Sequence, residues 1–595
     1  MHHYKQQPPS FQEELRRDTI RLKNKTVKNV RGFLHDIGKK LMPDQISVGE
    51  GTFEDQVAFN LNCQIFNQRL QFKPFVIVFC EYPSDVALTF KLAKRHNLPV
   101  KIRAGGHDHE GECTGTNVIL IDVTRMNGIE VNRDGLARIG PGNRFIRLTT
   151  ELAKLNVMIP HGTCATVGIS GFTMGGGWGP WTRKYGMACE RLVGADVVLG
   201  NAKPVSVDFE AGKPIPELLW ALRGGGGMSY GLVTELRYQT FPLPKILIKF
   251  ELQWNLYDKH HPDQIVESYP TLKVLKAWEE AILADDTENL IGTNLKINAR
   301  PAAGIDFDPD TIAHNCTMYG YWEGNILGLV SFVRKYFEGV MPNAYKVLGK
   351  GGTDTQQLPS LSEVDLTTIQ TKLESIVGDS LASLPQVALH NYGDDLMSSW
   401  DRESVSAIHL EMGKSYQGKP IPPDLDLPAP HKITSRLVDH DGLGANGKPG
   451  YAELLQSLTS SLVLEGNRER GLFTYVTLGA IAGPYYQQHK GENSAFPYAD
   501  KQYTIQYQTW WNTEEHEKML GQDNSVYDRT NRALDWIEAS REAEISNTSG
   551  AFISFKDASV PTETYFAQNY ERLKSIKKEY SKDPLNHFRS RKTIL

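Results

Sequence analysis

An apolar run from Pro74 to Cys80 is the first strong pattern along the chain, and it predicts a buried strand. Turn residues (YPSD) close that run, and the following VALTFKLAKRHN has apolar positions at helical spacing. Leu98 to Arg103 then predicts a second strand, which leads directly into the glycine loop AGGHDHEG. Strand, helix, strand and glycine loop form a βαβ unit, and a ligand-binding turn is expected at the end of the second strand.

Further strands and helices are predicted up to a boundary at Pro242. NVILIDV predicts a strand, GIEVNRDGLARIGPG a hairpin that turns at residues 133–135, and Phe145 to Asn156 a helix. Beyond Pro242 the strands and helices become longer, as in ILIKFELQWNL and TLKVLKAWEEAILA. Near Ser549 the composition changes again, and a charged helix follows. We therefore expect four parts: a helical extension (1–50), a first domain (51–245), an inserted domain (246–545) and a C-terminal segment (546–595).

The length and composition agree with a globular protein of more than one domain. A chain of 595 residues exceeds what one hydrophobic core usually supports. Its formal net charge of −5 gives no electrostatic reason to expect binding to nucleic acid or to an anionic membrane. No apolar stretch approaches the roughly 18 residues that a membrane-spanning helix needs. The first 40 residues lack the apolar core of a signal peptide, so a cytoplasmic protein and a secreted one whose leader has been removed both stay open.

Three glycine-rich loops lie between residues 104 and 231: AGGHDHEG, HGTCATVGISGFTMGGGWG and RGGGGMSYG. Glycine allows a close approach of the backbone, and successive amides can hold a pyrophosphate. None of the three loops matches a P-loop or a G-x-G-x-x-G that opens a βαβ helix. Any one of them alone is explained by the packing of tight turns. Three such loops interleaved with short strands indicate a large phosphate-bearing cofactor instead.

Two residues in these loops have side chains that can form covalent bonds. His107 in the first loop is a nucleophile when its imidazole is neutral, and the neighbouring Asp108 carboxylate is a candidate to orient it. Cys164 opens the second loop, where amide dipoles favour a thiolate. The six cysteines are scattered and include no C-x-x-C pair, so neither a disulfide framework nor a metal site is expected. Taken singly, the two residues are equally an ordinary loop histidine and an ordinary buried cysteine.

Four segments resemble motifs of the berberine bridge enzyme-like FAD oxidases, within the vanillyl-alcohol oxidase flavoprotein superfamily. IRAGGHDHEG resembles R-x-G-G-H-S-x-E-G, and HGTCATVGISGFTMGGGWG resembles G-x-C-P-T-V-G-x-x-G-x-x-x-G-G-G-[YF]-G. LLWALRGGGGMSYGLVTEL is similar to D-L-F-W-A-L-R-G-G-G-G-N-F-G-V-V-T-E. TYFAQNYERLKSIKKEYSKDPLNHF is similar to the C-terminal motif Y-Y-G-x-N-x-x-R-L-x-x-[IV]-K-x-x-Y-D-P-x-N-x-F. The motifs stand in family order and bracket residues 53–595.

The resemblance implies an α+β fold, in which a two-part FAD-binding domain of the vanillyl-alcohol oxidase type encloses a substrate domain of antiparallel sheet and helices. The C-terminal segment would return to the FAD-binding domain. FAD would be bound covalently twice, with His107 on the 8-methyl carbon of the flavin and Cys164 on its ring carbon C6. The resemblance also assigns a set of further residues to cofactor binding: Arg103, Gly105, Gly106, Asp108, Thr166, Val167, Gly168, Gly171, Gly175, Gly176, Gly179, Val233 and Asn569.

The chain departs from the family pattern where a proton acceptor is expected. The family strand G-A-Y-V-N-Y-x-D appears here as GAFISFKD, so both tyrosines, one of which commonly deprotonates the substrate, are replaced by Phe552 and Phe555. YTIQYQTWW (503–511) resembles the family strand Y-x-[IL]-Q-Y-x-x-x-W, whose Gln position can carry the base. Packing in a strand explains the two tyrosines of this segment equally well. The candidates that remain for the catalytic role are Tyr503, Gln506, Tyr507, His161 and Glu235.

The predicted function is that of an FAD-dependent oxidase. A hydride would pass from a small-molecule alcohol, sugar or secondary metabolite to flavin N5, and O2 would be reduced to H2O2. Val167 stands where family members that carry Val rather than Leu commonly admit oxygen, which favours an oxidase over a dehydrogenase. Two alternatives stay open: a flavin-dependent cyclase or dehydrogenase of natural-product biosynthesis, and a degenerate flavin-binding protein without activity. Neither the substrate nor the oligomeric state follows from the sequence.

Overall fold

The structure, a computed structural model, describes residues 25–244, 247–255, 268–302, 304, 306–347, 357–358, 428–463, 472–489, 491, 493–511 and 526–580. Parts of three sequence predictions fall outside them: positions 1–24 of the extension, the domain boundary at 245–246, and the DPLNHF end of the C-terminal motif. In the extension, residues 25–37 form a helix (α1) that buries Phe33 and Ile37. These two side chains join the apolar core of the first sheet.

Two sheets and a two-stranded ribbon are built from the described residues up to position 242. Their strands are β1 (Ile46–Ser47), β2 (Val76–Phe79), β3 (Val100–Arg103), β4 (Ile119–Asp122), β5 (Ile129–Val131), β6 (Leu136–Ile139), β7 (Val157–Met158), β8 (Leu192–Leu199), β9 (Pro204–Asp208), β10 (Gly231–Gln239) and β11 (Phe241–Pro242). The first sheet has the order β1-β2-β4-β3, in which β2 and β3 run parallel to β4. The second has the order β5-β6-β10-β8-β9 and is antiparallel. β7 and β11 form the ribbon.

Helices pack on both sides of these sheets and continue through the inserted domain. They are α2 (Phe53–Cys63), α3 (Pro83–Arg95), α4 (Phe145–Lys154), α5 (Ile169–Met174), α6 (Thr182–Tyr185), α7 (Glu217–Leu222), α8 (Thr271–Leu283), α9 (Ile326–Tyr336), α10 (Gly450–Leu458), α11 (Pro484–Gln488), α12 (Val526–Glu542), α13 (Thr562–Phe566) and α14 (Tyr570–Tyr580). None of the helices in the described part of the chain is both long and apolar enough to cross a membrane.

The βαβ unit predicted from the sequence is present in the first sheet. The strands β2 and β4 are apolar and buried along almost their whole length, as expected for parallel strands covered on both faces. Helix α3 connects β2 to β3 and buries Val86 and Phe90 against them. The glycine loop that starts at Ala104 leaves the carboxyl end of β3, which is where open α/β sheets hold ligands.

The inserted domain is built on one large sheet. Its strands, together with the short parallel pair β14 and β19, are β12 (Leu247–Trp254), β13 (Leu290–Asn298), β14 (Arg300–Pro301), β15 (Cys316–Glu323), β16 (Ala344–Val347), β17 (Gln357–Leu358), β18 (His431–Val438), β19 (Thr459–Ser460), β20 (Leu472–Ala480), β21 (Tyr503–Trp511) and β22 (Thr548–Ser549). Among the described residues the sheet has nine strands in the order β17-β16-β12-β15-β13-β20-β21-β18-β22, all antiparallel to their neighbours. The fold is therefore the predicted combination of α+β type.

The two faces of the large sheet differ because side chains alternate along each strand. One face packs on helices α8, α9, α10 and α12 and forms a continuous apolar core. On β12, for example, Phe250, Leu252 and Trp254 belong to this core. The opposite face carries polar and aromatic side chains and meets the glycine loops of the first domain.

Arg183 of α6 links the first domain to the inserted domain. Its side chain is 1% exposed, and its guanidinium donates to the carbonyls of Ala482, Thr287, Leu290 and Ile282. Burial lowers the pKa of Arg183 to about 9. Since most of its partners are backbone carbonyls, the buried charge is stabilised by peptide dipoles.

Arg183→Met should therefore lower the free energy of unfolding by on the order of 3 kcal/mol, because several buried carbonyls lose the hydrogen bond that Arg183 donates. Arg138→Met is the matched control. Arg138 pairs with Glu235 at the surface, its side chain is 51% exposed, and such pairs contribute about 0–1 kcal/mol. Denaturant unfolding measures the free energy of unfolding of both variants. An equal loss of this free energy in Arg183→Met and Arg138→Met would contradict this role of Arg183.

Candidate functional site

A cavity of about 700 Å³ lies between the glycine loops and the polar face of the large sheet. The first loop contributes the residues from Gly105 to His109, and the second contributes Cys164 and Val167. The third contributes Gly226 to Met228. All three loops that the sequence assigned to a cofactor thus reach one cavity.

The first two loops contact each other backbone to backbone. A Cβ atom at Gly105 would lie 2.5 Å from the Gly168 nitrogen, and a Cβ atom at Gly168 would lie 2.7 Å from the Gly105 nitrogen. Neither position therefore accepts a side chain. Gly106 follows with φ of +79°, a conformation that favours glycine. This contact brings His107 and Cys164 to the same cavity.

The residues around the cavity fit FAD. At Gly171 a Cβ atom would meet no atom within 4 Å, so this backbone faces open space on the cavity side. Gly175 lies one helical turn further along and also lines the cavity, and Val233 lines it from β10. A pyrophosphate requires such a wall of backbone amides without competing side chains.

His107 is held in one orientation and in its neutral form. Its Nε2 lies 2.8 Å from the Thr166 hydroxyl, and its ring stacks on Phe66 with the ring centroids 3.9 Å apart. Burial, together with Arg144 and His109, lowers the pKa of His107 well below its ordinary value. The neutral imidazole keeps a nitrogen lone pair that can form a bond. Thr166, predicted as a cofactor residue, contacts His107.

Cys164 is a half-buried thiol that forms no disulfide. Its sulfur lies 3.9 Å from the hydroxyl of Thr163, and both residues line the cavity. Val167 lines the cavity three residues further along. The second glycine loop thus presents one nucleophilic side chain and one small apolar side chain to the same space.

The suggestion that Asp108 orients His107 is corrected by the structure. The Asp108 carboxylate accepts from Lys556 Nζ at 2.6 Å and from the backbone amides of Glu110 and Glu112, each at 3.0 Å. Burial opposes ionisation, but the ion pair with Lys556 holds the pKa of Asp108 below its ordinary value. Asp108 therefore shapes the loop and ties it to the C-terminal segment, while Thr166 holds the imidazole.

A second set of buried charges extends from the same loop. Lys432 of β18 bonds to Glu110 and, at 2.9 Å, to Asp557, and Asp557 also accepts from Arg541 at 2.9 Å. The side chain of Asp557 is fully buried. Burial opposes ionisation of Asp557, but Lys432 and Arg541 hold its pKa below its ordinary value. The loop that carries His107 is therefore fixed to the large sheet, to α12 and to the C-terminal segment.

His109 and His431 form a second contact between the first loop and the large sheet. His109 Nδ1 lies 2.9 Å from His431 Nε2, and His431 Nδ1 lies 2.9 Å from the carbonyl of Ala429. Burial lowers the pKa of His109 to about 4 and that of His431 well below its ordinary value. With both rings neutral, His431 donates to the carbonyl and accepts from His109.

The large sheet contributes a polar wall to the cavity. On β12, Lys249, Glu251 and Gln253 face the cavity and alternate with residues of the apolar core. Antiparallel register aligns cavity-facing residues in rows, and it sets Glu251 opposite Tyr319. The other sheet residues that line the cavity are Asn294, Lys296, Tyr475, Thr477, Gln506, Gln508 and Trp510.

The structure separates the three catalytic candidates of β21. Gln506 lines the cavity, whereas Tyr503 and Tyr507 are fully buried on the opposite face of the sheet. The Tyr503 hydroxyl bonds to Glu279, and the Tyr507 hydroxyl lies 2.7 Å from that of Ser457. Strand alternation places both tyrosines among the helices, so the catalytic role considered for them is not compatible with their position.

The two other base candidates also lie away from the cavity. His161 is fully buried, it accepts from Trp181 Nε1 at 2.8 Å, and its Nδ1 lies 2.7 Å from the Gly162 carbonyl. Glu235 pairs with Arg138 and Arg237 on the outer part of β10. The side chains of both residues therefore form hydrogen bonds or ion pairs outside the cavity.

Five of the residues assigned to the cofactor do not line the cavity formed by the described residues, and one of these, Thr166, contacts His107. Arg103 is buried and pairs with Asp122 of β4, with Nε 2.7 Å from Oδ2. Gly176 packs against Phe552 and Gly179 against the carbonyl of His161. Asn569 bonds to the Ala495 carbonyl at 3.2 Å and lines a separate cavity. In the structure these four residues contact other parts of the protein, and their assignment to the cofactor stays a prediction.

The residues at which this chain differs from the family motifs line the cavity. Phe552 and Phe555 face it with their ring centroids 4.9 Å apart, so the wall is apolar where the family has tyrosines. Trp178, at the position of the family Tyr or Phe, also lines the cavity, and its Nε1 donates to the Ala480 carbonyl at 2.8 Å.

Sequence reasoning missed the polar wall and the partners of the first loop. The alternation in ILIKFELQWNL indicates that Lys249 and Glu251 share one face, but it does not show what that face meets. Phe66 and Lys556 gave no local signal, because their contacts with His107 and Asp108 join distant parts of the chain.

Comparisons with known proteins agree with this geometry. A family model described as FAD binding domain matches residues 74–208, and one described as Berberine and berberine like matches residues 551–594. An uncharacterized FAD-linked oxidoreductase of Bacillus subtilis (strain 168) is 33% identical over 194 residues, which are 32% of this chain and 43% of that protein. Glucooligosaccharide oxidase of Sarocladium strictum is 27% identical over 294 residues, which are 49% of this chain and 52% of that protein. The chain thus spans about half the length of these relatives or less.

A solved structure of glucooligosaccharide oxidase from Acremonium strictum, described as carrying a 6-S-cysteinyl, 8α-N1-histidyl FAD, has the same fold. It matches with a TM-score of 0.63 and 18% identity, over 94% of this chain and 98% of that one. At this identity the match shows the fold alone. Together with the two family models it confirms the α+β architecture and the family resemblance. The chain carries segments that match the FAD-binding domain and the berberine-like C-terminal domain, at the two places where its sequence resembles the berberine bridge enzyme-like FAD-linked oxidases.

Proposed function

We propose that this protein is an FAD-dependent oxidase that holds its flavin through both His107 and Cys164 and oxidises a polyhydroxylated small molecule. The observation that carries the proposal is the cavity itself. His107 and Cys164 line it on one side, and a polar wall of the large sheet lines it on the other. FAD would supply the two-electron chemistry, by accepting a hydride and returning the electrons to O2.

The surroundings of His107 support a covalent bond to the flavin. Its pKa is lowered by burial, so the ring is neutral at physiological pH. The Thr166 hydroxyl engages Nε2, which leaves Nδ1 as the nitrogen that would form the bond. Phe66 stacked on the ring prevents its rotation. The related glucooligosaccharide oxidase is described with a histidyl and a cysteinyl attachment, which agrees with this assignment.

Cys164 would supply the second attachment. It is half-buried, reduced and part of the loop that touches the His107 loop at Gly168. Two bonds would fix the flavin ring without a deep enclosing pocket and tend to raise its potential. The cavity would then keep room for a bulky substrate between the ring and the large sheet.

The polar wall favours a substrate rich in hydroxyl groups. Amide, hydroxyl and charged side chains from five neighbouring strands face the cavity. Aromatic rings also line the cavity, and two of them, Trp510 and Tyr475, pack with Phe66 at one end of it. Sugars present hydroxyl groups and apolar ring faces together, so a carbohydrate matches this wall better than an apolar polycyclic compound does. The relatives named as carbohydrate oxidases agree with this choice.

Substitution of the two attachment residues tests the covalent flavin. We expect His107→Ala and Cys164→Ala each to keep the yellow chromophore on acid-precipitated protein, because one bond remains, and the double variant to release it. His109→Ala with Cys113→Ala is the matched control, since both residues line the same cavity but have no proposed bond to the flavin. Release of the chromophore from wild-type protein would contradict the proposal.

Turnover tests the oxidase assignment. Wild-type protein should consume O2 and form H2O2 in equal amounts with glucose-derived or chitin-derived oligosaccharides. Val167→Leu should slow flavin reoxidation by O2 and leave anaerobic flavin reduction unchanged, because the larger side chain narrows the cavity beside the second loop. Rapid flavin reduction without reoxidation in wild-type protein would indicate a dehydrogenase, and no reduction by any sugar would contradict the substrate class.

A further inference from the structure

The proton released during alcohol oxidation needs an acceptor, and identifying it rests on the proposed oxidase function. The tyrosines that the family uses are phenylalanines in this chain. Tyr503 and Tyr507 lie in the core of the large sheet. Of the described residues that line the cavity, two are tyrosines, Tyr319 on β15 and Tyr475 on β20.

Tyr319 lies beside the loop that carries Cys164. A small second cavity, of about 20 Å³, is lined by Tyr319 together with Thr163 and Trp178. A volume of this size holds about one water molecule, so Tyr319 and Thr163 line one small space. Thr163 directly precedes Cys164. Tyr319 therefore lines the space beside the loop that would hold the flavin through Cys164.

Glu251 stands directly opposite Tyr319 on the neighbouring strand β12. Both side chains face the cavity. Directly opposed residues of antiparallel strands have their Cβ atoms about 4.5–5.5 Å apart, which lets a phenol and a carboxylate share a hydrogen bond. The register therefore pairs the Tyr319 phenol, which can pass a proton on, with the Glu251 carboxylate, which can accept that proton.

We propose that Tyr319 and Glu251 together accept the substrate proton. FAD, when bound, would take the C–H hydrogen of the substrate as a hydride, with its two electrons. The O–H proton passes to the Tyr319 oxygen, the phenol proton of Tyr319 passes to the Glu251 carboxylate, and the alcohol becomes a carbonyl. The pair is restored when the carboxylic acid of Glu251 releases its proton to water.

Other titratable groups face Tyr319 from the elements around it. β12 also carries Lys249, β13 carries Lys296, and the second glycine loop carries Cys164. The two ammonium groups outnumber the single carboxylate of Glu251 on this wall. The variants of the pair therefore keep both lysines.

Tyr475 provides the matched control for Tyr319. It faces the same cavity from the same sheet, but its hydroxyl lies 3.3 Å from Gln508 Oε1 and its ring lies 3.9 Å from Lys296 Nζ. It packs with Phe66, which stacks on His107. Tyr475 is thus at the His107 side of the cavity and has no carboxylate opposite it, since its cross-strand partners are Asn298 and Gln508.

Anaerobic flavin reduction in the holoenzyme tests the proposal, with the oligosaccharide that wild-type protein oxidises. Tyr319→Phe should lower the reduction rate constant by about 10²- to 10⁴-fold, the usual contribution of a general base, with the flavin still attached. Tyr475→Phe should raise KM more than it lowers that rate constant. Glu251→Gln should lower the reduction rate constant as well, because an amide does not accept the phenol proton of Tyr319. Unchanged reduction in Tyr319→Phe would overturn the proposal, whereas peroxide formation by wild-type protein would leave the oxidase function intact.

A second measurement does not depend on turnover. In holoenzyme labelled with 3-fluorotyrosine, the ¹⁹F resonance of Tyr319 is identified as the one absent from Tyr319→Phe. We expect Glu251→Gln to change the chemical shift of this resonance, because the phenol loses its carboxylate partner. A Tyr319 resonance with the same chemical shift in Glu251→Gln would overturn the pairing.

Discussion

The backbone contact between Gly105 and Gly168 is the constraint on which the site depends. A Cβ atom at either position would lie within 2.7 Å of the nitrogen of the other glycine, so two glycines are required for the loops to meet. The loops leave different elements, one at the end of β3 and the other before α5. Their contact brings His107 and Cys164 to one cavity, and Thr166 then fixes the imidazole of His107.

Buried charges hold this arrangement against the rest of the chain. Asp108 pairs with Lys556, and Glu110 is joined through Lys432 to Asp557. Buried ions are costly unless their geometry satisfies them, and here each carboxylate has a cationic partner. These pairs join the first loop to both the large sheet and the C-terminal segment. The loop that presents His107 is therefore positioned by the large sheet and by the C-terminal segment as well as by its own domain.

Local patterns were sufficient for the βαβ unit and the glycine loops, because periodicity and glycine content are properties of short segments. They were insufficient for β21, where each face mixes polar and aromatic residues. Hydrophobicity cannot tell there that Gln506 faces the cavity while Tyr503 and Tyr507 face the core.

Asp108 shows a second limit. It is adjacent to His107 in sequence, but its carboxylate is directed by Lys556, which no local pattern connects to it.

The central claim is that one flavin joins the two loops through His107 and Cys164. Mass spectrometry of a complete proteolytic digest of the holoenzyme tests it most directly. We expect a single cross-linked species, composed of the peptide with His107, the peptide with Cys164 and one flavin between them. Two separate peptides, with the flavin on only one of them or on neither, would contradict the account.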